Sequence, residues 1–204
     1  MNKFLKYNQR DPLPDERKVS YSQFSMYSQC PKHWELAYAK NLRTFSQSIH
    51  TIFGTAMHET LQNYLTVMYD ESVKKADEID INKYLKDQMF TLYKEAVDKM
   101  GDHFSNKFEL GEFYEDGVAI LDWFKKKRGQ YFSRKNEELI GIEVPIYHPV
   151  EQDNKKVMML GYLDIVIRDK RDNKITIIDI KTSTMGWNKY QKADKTKTSQ
   201  LVLY

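Results

Sequence analysis

The chain has 204 residues, of which 41% are hydrophobic and 30% are charged, and its net charge is +3. This length suits one domain with a hydrophobic core, and the lack of any apolar run near about 20 residues excludes a transmembrane helix. The charge balance alone does not indicate a nucleic-acid partner. Cys30 is the only cysteine, which excludes an internal disulfide and favours a reducing compartment. We therefore expect a cytoplasmic protein, in the host cytoplasm if the source is viral, with no membrane partner.

The N-terminal part of the chain predicts a polar arm followed by two short helices. Residues 1–18 are polar and contain two prolines, as in a flexible arm, so the folded domain is expected over 19–204. Residues 20–29 predict the first helix. Pro31 suits the first turn of a second helix that runs to about Lys40, because proline needs no N–H there.

A long helix with one apolar face is predicted over 49–69. The spacing of its apolar residues follows the helical period, and the residues on that face are Ile49, Ile52, Phe53, Ala56, Met57, Thr60, Leu61, Tyr64 and Met68. His58 lies beside this stripe. A lone histidine in such a helix is ordinarily a packed residue with one satisfied ring nitrogen.

Two further helices are predicted over 80–100 and 112–132, with a polar linker over 101–111 between them. The end of the second helix carries the densest basic run of the chain, residues 125–128. Such a run is ordinarily a solvated helix face. Beside a nucleic-acid site, the same run would suit contact with phosphate groups.

The first predicted strand covers 138–148, where apolar residues alternate with other residue types. Pro145 indicates an edge strand or a bulge at this point, since proline cannot donate to a β-ladder. Glu143 on this strand is either an additional acid of a site or a solvent-facing residue.

A β-hairpin is predicted from two apolar stretches, 157–167 and 174–182, joined by the turn-forming residues 169–173. A turn centred between Arg171 and Asp172 would place Asp164 opposite Asp179. Opposed residues share one face of the sheet, with Cβ atoms about 4.5–5.5 Å apart.

Two carboxylates held this close repel each other, unless a divalent cation lies between them. Oxygen ligands suit Mg²⁺ or Mn²⁺. Lys181 lies two positions beyond Asp179 and shares its face. Its ammonium group could steady a water nucleophile or a developing charge on phosphate.

The last part of the chain predicts a basic loop and the start of a helix at Thr198. The loop interleaves aromatic residues with Lys189 and Lys192, which suits either single-strand contact or a surface loop with buried aromatic anchors. Gln200 and Tyr204 would share one helix face. Because the chain stops inside an apolar periodic segment, we expect the C-terminal part of the fold to be missing and the chain to be partial.

Five short motifs occur in order between residues 20 and 204. They are Cys30-Pro31, Gly54-x-x-x-His58, Gly161-Tyr-Leu-Asp164, Asp179-x-Lys181 and Gln200-x-x-x-Tyr204. Together they resemble the PD-(D/E)XK nuclease superfamily. Within it, they resemble the RecB-like branch, which includes nuclease domains of bacterial recombination-repair enzymes and CRISPR-adaptation exonucleases.

This resemblance implies a restriction-endonuclease-like α/β fold, in which a small mixed sheet is flanked by helices. It places a helical insertion at about 70–135 and the catalytic sheet at about 138–182. The insertion would be either a lobe over the active site that guides a DNA strand or a layer of the fold.

The resemblance also implies the roles of individual residues. His58, Asp164, Asp179 and the backbone carbonyl of Ile180 would hold one or two Mg²⁺ or Mn²⁺ ions, and Lys181 would orient the nucleophile. A secondary candidate for the metal is Glu143. The DNA contacts are assigned to Gln200 and Tyr204, with Lys189, Lys192, Lys125 and Lys126 as secondary candidates.

Relatives with an iron–sulfur cluster use the cysteine of Cys-Pro as its first ligand. One cysteine cannot hold a cluster, so Cys30 could do so only if the full protein supplies more cysteines. A buried structural thiol is the expected role.

The function that the resemblance implies is that of a metal-dependent deoxyribonuclease. We expect an exonuclease that acts on DNA ends or single strands in recombination, repair or phage and CRISPR DNA processing, with DNA as a partner and a helicase or other processing protein as a further one. The alternatives are an inactive DNA-binding or scaffold module of the same fold and a structure- or sequence-specific endonuclease.

Overall fold

The computed structural model describes residues 18–43, 46–101, 103–152 and 155–182, together with residues 189, 199 and 200. Contacts within the chain define two compact units. The first comprises residues 1–44, 143–163 and 185–204, and the second comprises 45–142 and 164–184. None of the helices in the described ranges combines the length and the apolar character that a membrane crossing needs.

The elements follow one another as helices first and strands later, after one short strand. In chain order they are β1 (Lys18–Ser20), α1 (Tyr21–Gln29), α2 (Pro31–Trp34) continued by a π-helical turn (Glu35–Ala39), α3 (Ile49–Asp70), α4 (Val73–Asp77), α5 (Ile81–Met100), α6 (Lys107–Lys127) followed by a 3₁₀ turn (Arg128–Gln130), β2 (Glu137–Gln152), β3 (Lys155–Asp169) and β4 (Ile175–Ile178).

Helix α3 is the centre of the second unit. It begins at a capping box in which Ser48 and Thr51 satisfy each other's backbone N–H groups. Its apolar stripe is buried as the period predicts, and it packs against α4, α5 and α6. The buried residues of this core are Ile49, Phe53, Ala56, Met57, Tyr64, Leu65, Met68, Tyr69, Ala76, Ile81, Leu85, Met89, Phe113, Leu121, Phe124, Ile165 and Ile167.

Helices α3 and α6 run side by side in the same direction. The ring of Phe113 packs 5.4 Å from that of Phe53, and the ring of Phe124 packs 5.4 Å from that of Tyr64. Both pairs are separated by 60 positions in sequence, so the two helices keep one register over three turns. The helices of the predicted insertion therefore share a core with the helix that carries His58.

The hairpin of β3 and β4 has the register that the turn residues predict. Ile165 pairs with Ile178, and the antiparallel pairing continues to Arg168 and Ile175. The turn is closed by the Asp169 N–H, which donates to the carbonyl of Lys174 at 2.9 Å. Asn173 takes a left-handed φ of 59°, a conformation that asparagine tolerates. The face opposite Asp164 packs into the core, as expected.

The first unit contains β1, α1 and α2. Strand β1 pairs in parallel with β3, Val19 being opposite Met159. Ser20 then caps α1 by accepting a hydrogen bond from the N–H of Gln23. The strand order is β1-β3-β2, with β4 also paired to β3. The sheet is therefore small and mixed, as the α/β prediction requires, and Pro145 lies in a strand at one end of this order.

Four sequence-based expectations were wrong in detail. Helix α6 begins at Lys107 instead of residue 112, because the side chain of Asn106 accepts hydrogen bonds from two backbone N–H groups there. Strand β4 ends at Ile178, four residues early. Strand β1 and helix α4 are too short for a periodic signal and were not predicted.

The thiol of Cys30 is exposed and not buried, because it lies at the junction of α1 and α2, two helices without buried residues. Its sulfur accepts a hydrogen bond from the N–H of His33 at 3.4 Å and so caps α2. Of the predicted arm over 1–18, only Lys18 is described, and it begins β1. The division into an arm and a domain over 19–204 stays a prediction.

The close packing of α6 against α5 and α3 gives a stability test at Gly117. A Cβ atom at this position would lie 2.5 Å from Leu85 Cδ2 and 3.0 Å from Phe53 Cε2. Both neighbours are buried and cannot turn into solvent. We expect Gly117→Ala to lower the free energy of unfolding by about 1–3 kcal/mol, measured by urea denaturation at unchanged m-value.

Gly111→Ala on the same helix is the control, because nothing lies within 4 Å of its Cβ position. This control should raise the free energy of unfolding by about 0.5–1 kcal/mol, since alanine is the better helix former. Equal effects of the two substitutions would contradict the close packing of α6 on α3.

Candidate metal centre

The end of the β3–β4 hairpin holds a buried carboxylate. The N–H of Ile180, two residues past the end of β4, donates to Asp164 Oδ2 at 2.7 Å. The side chain of Asp164 is 12% exposed. Two residues after the last ladder pair, the backbone therefore turns its amide to an acid on the neighbouring strand.

His58 reaches the same place from helix α3. Its Nε2 lies 2.8 Å from the carbonyl oxygen of Ile180, and its Nδ1 lies 3.7 Å from Asp164 Oδ2. Since a carbonyl oxygen only accepts, Nε2 is the nitrogen that donates in this arrangement. In a neutral ring, Nδ1 then directs a lone pair towards the carboxylate.

The electrostatics of Asp164 are those of an acid with incomplete charge compensation. Burial raises the pKa of its carboxyl above the ordinary value, and repulsion from Asp179 acts in the same direction. The hydrogen bond from Ile180 and the positive charges that His58 and Lys181 can carry lower this pKa, and burial still prevails.

This donor set fits a divalent cation. A histidine nitrogen and a carboxylate oxygen face each other at 3.7 Å, which is less than twice the roughly 2.1 Å distance from such an ion to its ligands. One ion could therefore contact both atoms and supply the missing positive charge. Mixed nitrogen and oxygen ligands suit Mn²⁺ better than Mg²⁺.

Asp179 and Lys181 form an ion pair next to these two residues. Lys181 Nζ lies 2.9 Å from Asp179 Oδ1, and the side chains are 41% and 13% exposed. Extending the ladder register by one pair places Asp179 opposite Asp164. The structure therefore brings His58, Asp164, Asp179 and Lys181, with the backbone of Ile180, to one end of the hairpin in the second unit.

Gln62 and Thr182, which the sequence did not predict to take part in the site, lie where α3 approaches the hairpin. Gln62, one turn after His58, is buried and directs its Nε2 to the carbonyl of Asp164 at 3.5 Å. A Cβ atom on Gly54 would lie 3.3 Å from Thr182 Oγ1. Two features of the sequence could have indicated these residues: Gln62 lies four residues after His58, and Thr182 directly follows Lys181.

The remaining predicted site residues belong to the first unit, to the last turn of α6, or to stretches outside the described residues. Glu143 lies in β2 and belongs to the first unit. Its side chain is exposed, and its backbone φ is 48°. Lys125 and Lys126 lie on the last turn of α6. Lys189 and Gln200 are helical residues of the first unit. The residues outside the described ranges are Lys192 and Tyr204. The roles of all these residues stay predictions.

One protein family matches most of the chain. The model of the PD-(D/E)XK nuclease superfamily matches residues 18–204. Among curated proteins, none matches the chain significantly. The matched region includes all the residues of the candidate metal centre.

The raised pKa of Asp164 gives a test in metal-free buffer. We expect Asp164→Asn to raise the free energy of unfolding at pH 7, because the amide removes a poorly compensated buried charge and can still accept from the Ile180 N–H. The folded-state pKa lies above the unfolded value of 3.8. The carboxylate therefore destabilises the fold increasingly as pH rises from below 3.8 through the folded pKa.

The gain from Asp164→Asn should accordingly be larger at pH 7 than at pH 3, as measured by chemical denaturation at both pH values. Asp169→Asn is the matched control on the same strand. Its partner Arg171 holds the pKa of Asp169 at about 2, so that substitution should lower stability at pH 7. A loss of stability from Asp164→Asn at pH 7 would contradict the burial argument.

Proposed function

Because this chain belongs to the PD-(D/E)XK nuclease superfamily, we propose that it is a metal-dependent deoxyribonuclease, and specifically an exonuclease of the RecB-like branch that acts on DNA ends or single strands. The observation that carries the proposal is the pair His58 Nδ1 and Asp164 Oδ2, which face each other at 3.7 Å beside a raised Asp164 pKa. A divalent cation at this place would balance the charge of the buried carboxylate, and nucleases of this superfamily use such ions for catalysis.

The proposed ligands are His58, Asp164, Asp179 and the carbonyl of Ile180, with Glu143 as an additional acid. A bound Mg²⁺ or Mn²⁺ would supply an activated water and charge neutralisation for the scissile phosphate. The hydrogen bond from the Ile180 N–H orients Asp164, and the contact with the Ile180 carbonyl fixes the ring of His58. The first bond orients a ligand atom before any substrate binds. The second occupies the Ile180 carbonyl, so the imidazole ring would have to turn for one ion to contact both His58 and this carbonyl.

Lys181 is proposed to act on the nucleophile and the phosphate. Its ammonium group lies 2.9 Å from the Asp179 carboxylate and remains 41% exposed, so it is held next to the ligands and still open to substrate. A positive charge in this place lowers the energy of the extra negative charge that develops on the phosphate.

Substrate contact is proposed for residues on both units. Gln200, Tyr204, Lys189 and Lys192 follow the catalytic hairpin in sequence, and Lys125 and Lys126 end helix α6. The order of the five motifs supports a nuclease of the RecB-like branch. For this nuclease we propose a role in recombination, repair or phage and CRISPR DNA processing in the cytoplasm, with a helicase or another processing protein as partner.

Substitution of the ion pair tests the catalytic assignment. We expect Asp179→Ala and Lys181→Ala each to reduce cleavage of DNA with Mn²⁺ by at least about 10²-fold, because one removes a ligand and the other the charge beside the phosphate. Lys174→Ala, an exposed substitution on the same hairpin, is the control and should cleave as the wild type does. Circular dichroism melts should show all three variants folded.

Undiminished metal-dependent cleavage by both site variants would refute the assignment. If the wild-type protein binds DNA and does not degrade it with either metal, the inactive scaffold function replaces the proposal.

The mode of cleavage is tested with DNA labelled at either the 5′ or the 3′ end. An exonuclease should release label progressively from one end, and EDTA should stop the reaction because the site then lacks its cation. The products are resolved on denaturing gels over time. Discrete internal fragments would indicate an endonuclease, and degradation that persists in EDTA would contradict a metal-dependent mechanism.

A further inference from the structure

Two large aromatic side chains that the core does not use lie near the C-terminal end of helix α6, one on its last turns and one just after the 3₁₀ turn. Trp123 is 52% exposed and Tyr131 is 56% exposed. Their ring centroids lie 6.0 Å apart and the rings are tilted by 45°. At this tilt the rings touch without covering each other's faces, so both present aromatic surface to solvent.

The basic run beside these rings divides into two kinds of residue. Arg128 is structural: its guanidinium makes two hydrogen bonds to Asp77, at 2.8 and 2.9 Å, and lies over the ring of Tyr64. Lys125 is half-buried, and its charge acts on Asp77. Arg128 therefore serves the fold, and Lys125 is less open to a ligand than the exposed lysines that follow it.

Lys126 and Lys127 differ from their neighbours in the same run. Both are exposed, and neither has an acidic partner among the residues that the structure describes. They follow Trp123 by three and four positions, so they lie on the same side of the helix as its ring. This end of α6 therefore combines two exposed aromatic rings with two exposed lysines that make no ion pair among the described residues.

The register of the two helices gives the axial separation between this surface and the metal centre. The offset of 60 positions between α6 and α3 places Trp123 level with residue 63, five residues beyond His58. At 1.5 Å per residue, the separation along the helix axis is about 8 Å. A strand of a few nucleotides covers such an axial distance.

We propose that Trp123, Tyr131, Lys126 and Lys127 form a binding surface for single-stranded DNA, on which unpaired bases stack while the lysines contact phosphates. Stacking needs an exposed π-face and a base that is not paired, and phosphate contact needs a cation without a protein partner. This surface meets both requirements. The inference rests on the proposed function, since it assigns a part of the substrate path to that nuclease.

The test is binding of a fluorescein-labelled oligothymidylate of about 12 nucleotides to the full chain in EDTA, followed by fluorescence anisotropy. Trp123→Ala should weaken binding at least about fivefold, the effect of losing one stacked base. Lys126→Gln with Lys127→Gln should reduce the slope of log K against log salt by about 1.4, or about 0.7 per phosphate contact.

Lys107→Gln with Phe108→Ala is the matched control. It removes an exposed cation and a 79% exposed ring from the other end of α6, and it should leave affinity and salt slope unchanged. Because Trp123 is half exposed, its substitution should leave the thermal melt intact. Equal binding by all variants would overturn the inference. It would also be overturned if the substitutions changed the sedimentation coefficient of the protein and left its DNA affinity unchanged, because the surface would then be a protein interface.

Cleavage by the wild-type protein separates this inference from the proposed function. Metal-dependent degradation with unchanged binding by the Trp123 and lysine variants would refute the surface and retain the nuclease. Binding that depends on Trp123, in a protein that degrades no DNA with Mn²⁺, would support the surface and refute the nuclease.

Discussion

The backbone of Ile180 connects every part of the candidate site. Its N–H holds the carboxylate of Asp164 at 2.7 Å, and its carbonyl holds the ring of His58 at 2.8 Å. One peptide residue therefore orients a ligand from a strand and a ligand from a helix. Because both bonds use main-chain atoms, no side-chain substitution at this position removes them directly. The geometry depends on where the hairpin stops pairing, not on which side chain follows.

Helix α3 serves the core and the site with different faces. Its apolar stripe packs against α5 and α6, while His58 and Gln62 face the hairpin. Burial of the stripe thus fixes the position of the imidazole, since the two faces belong to one rigid element. The lack of a side chain on Gly54 allows Thr182 to approach the helix. Stability and chemistry are therefore coupled through the packing of α3.

The charged side chains of the second unit are of two kinds, those with an oppositely charged partner in the fold and those without one among the described residues. Arg128 is neutralised by Asp77 within the fold, whereas Lys126 and Lys127 in the same run have no acidic partner among the described residues. At the hairpin, the ion pair of Lys181 and Asp179 lies next to a carboxylate whose pKa is raised by burial. A metal ion would neutralise the buried carboxylate, and a phosphate backbone would neutralise the two exposed lysines.

Patterns of neighbouring residues were sufficient to predict the long helices and the hairpin register that places Asp164 opposite Asp179, whereas His58 was expected at the site only from the family resemblance. The helical period and the turn residues 169–173 act locally, so the register of Ile165 with Ile178 follows without knowledge of the rest of the chain. The early end of β4 did not follow, because His58, far away in sequence, takes the carbonyl of Ile180. The start of α6 and the exposure of Cys30 depend on a side-chain cap and on missing neighbours. Local patterns cannot report such features, since they arise from competition between distant groups for the same backbone atoms and the same space.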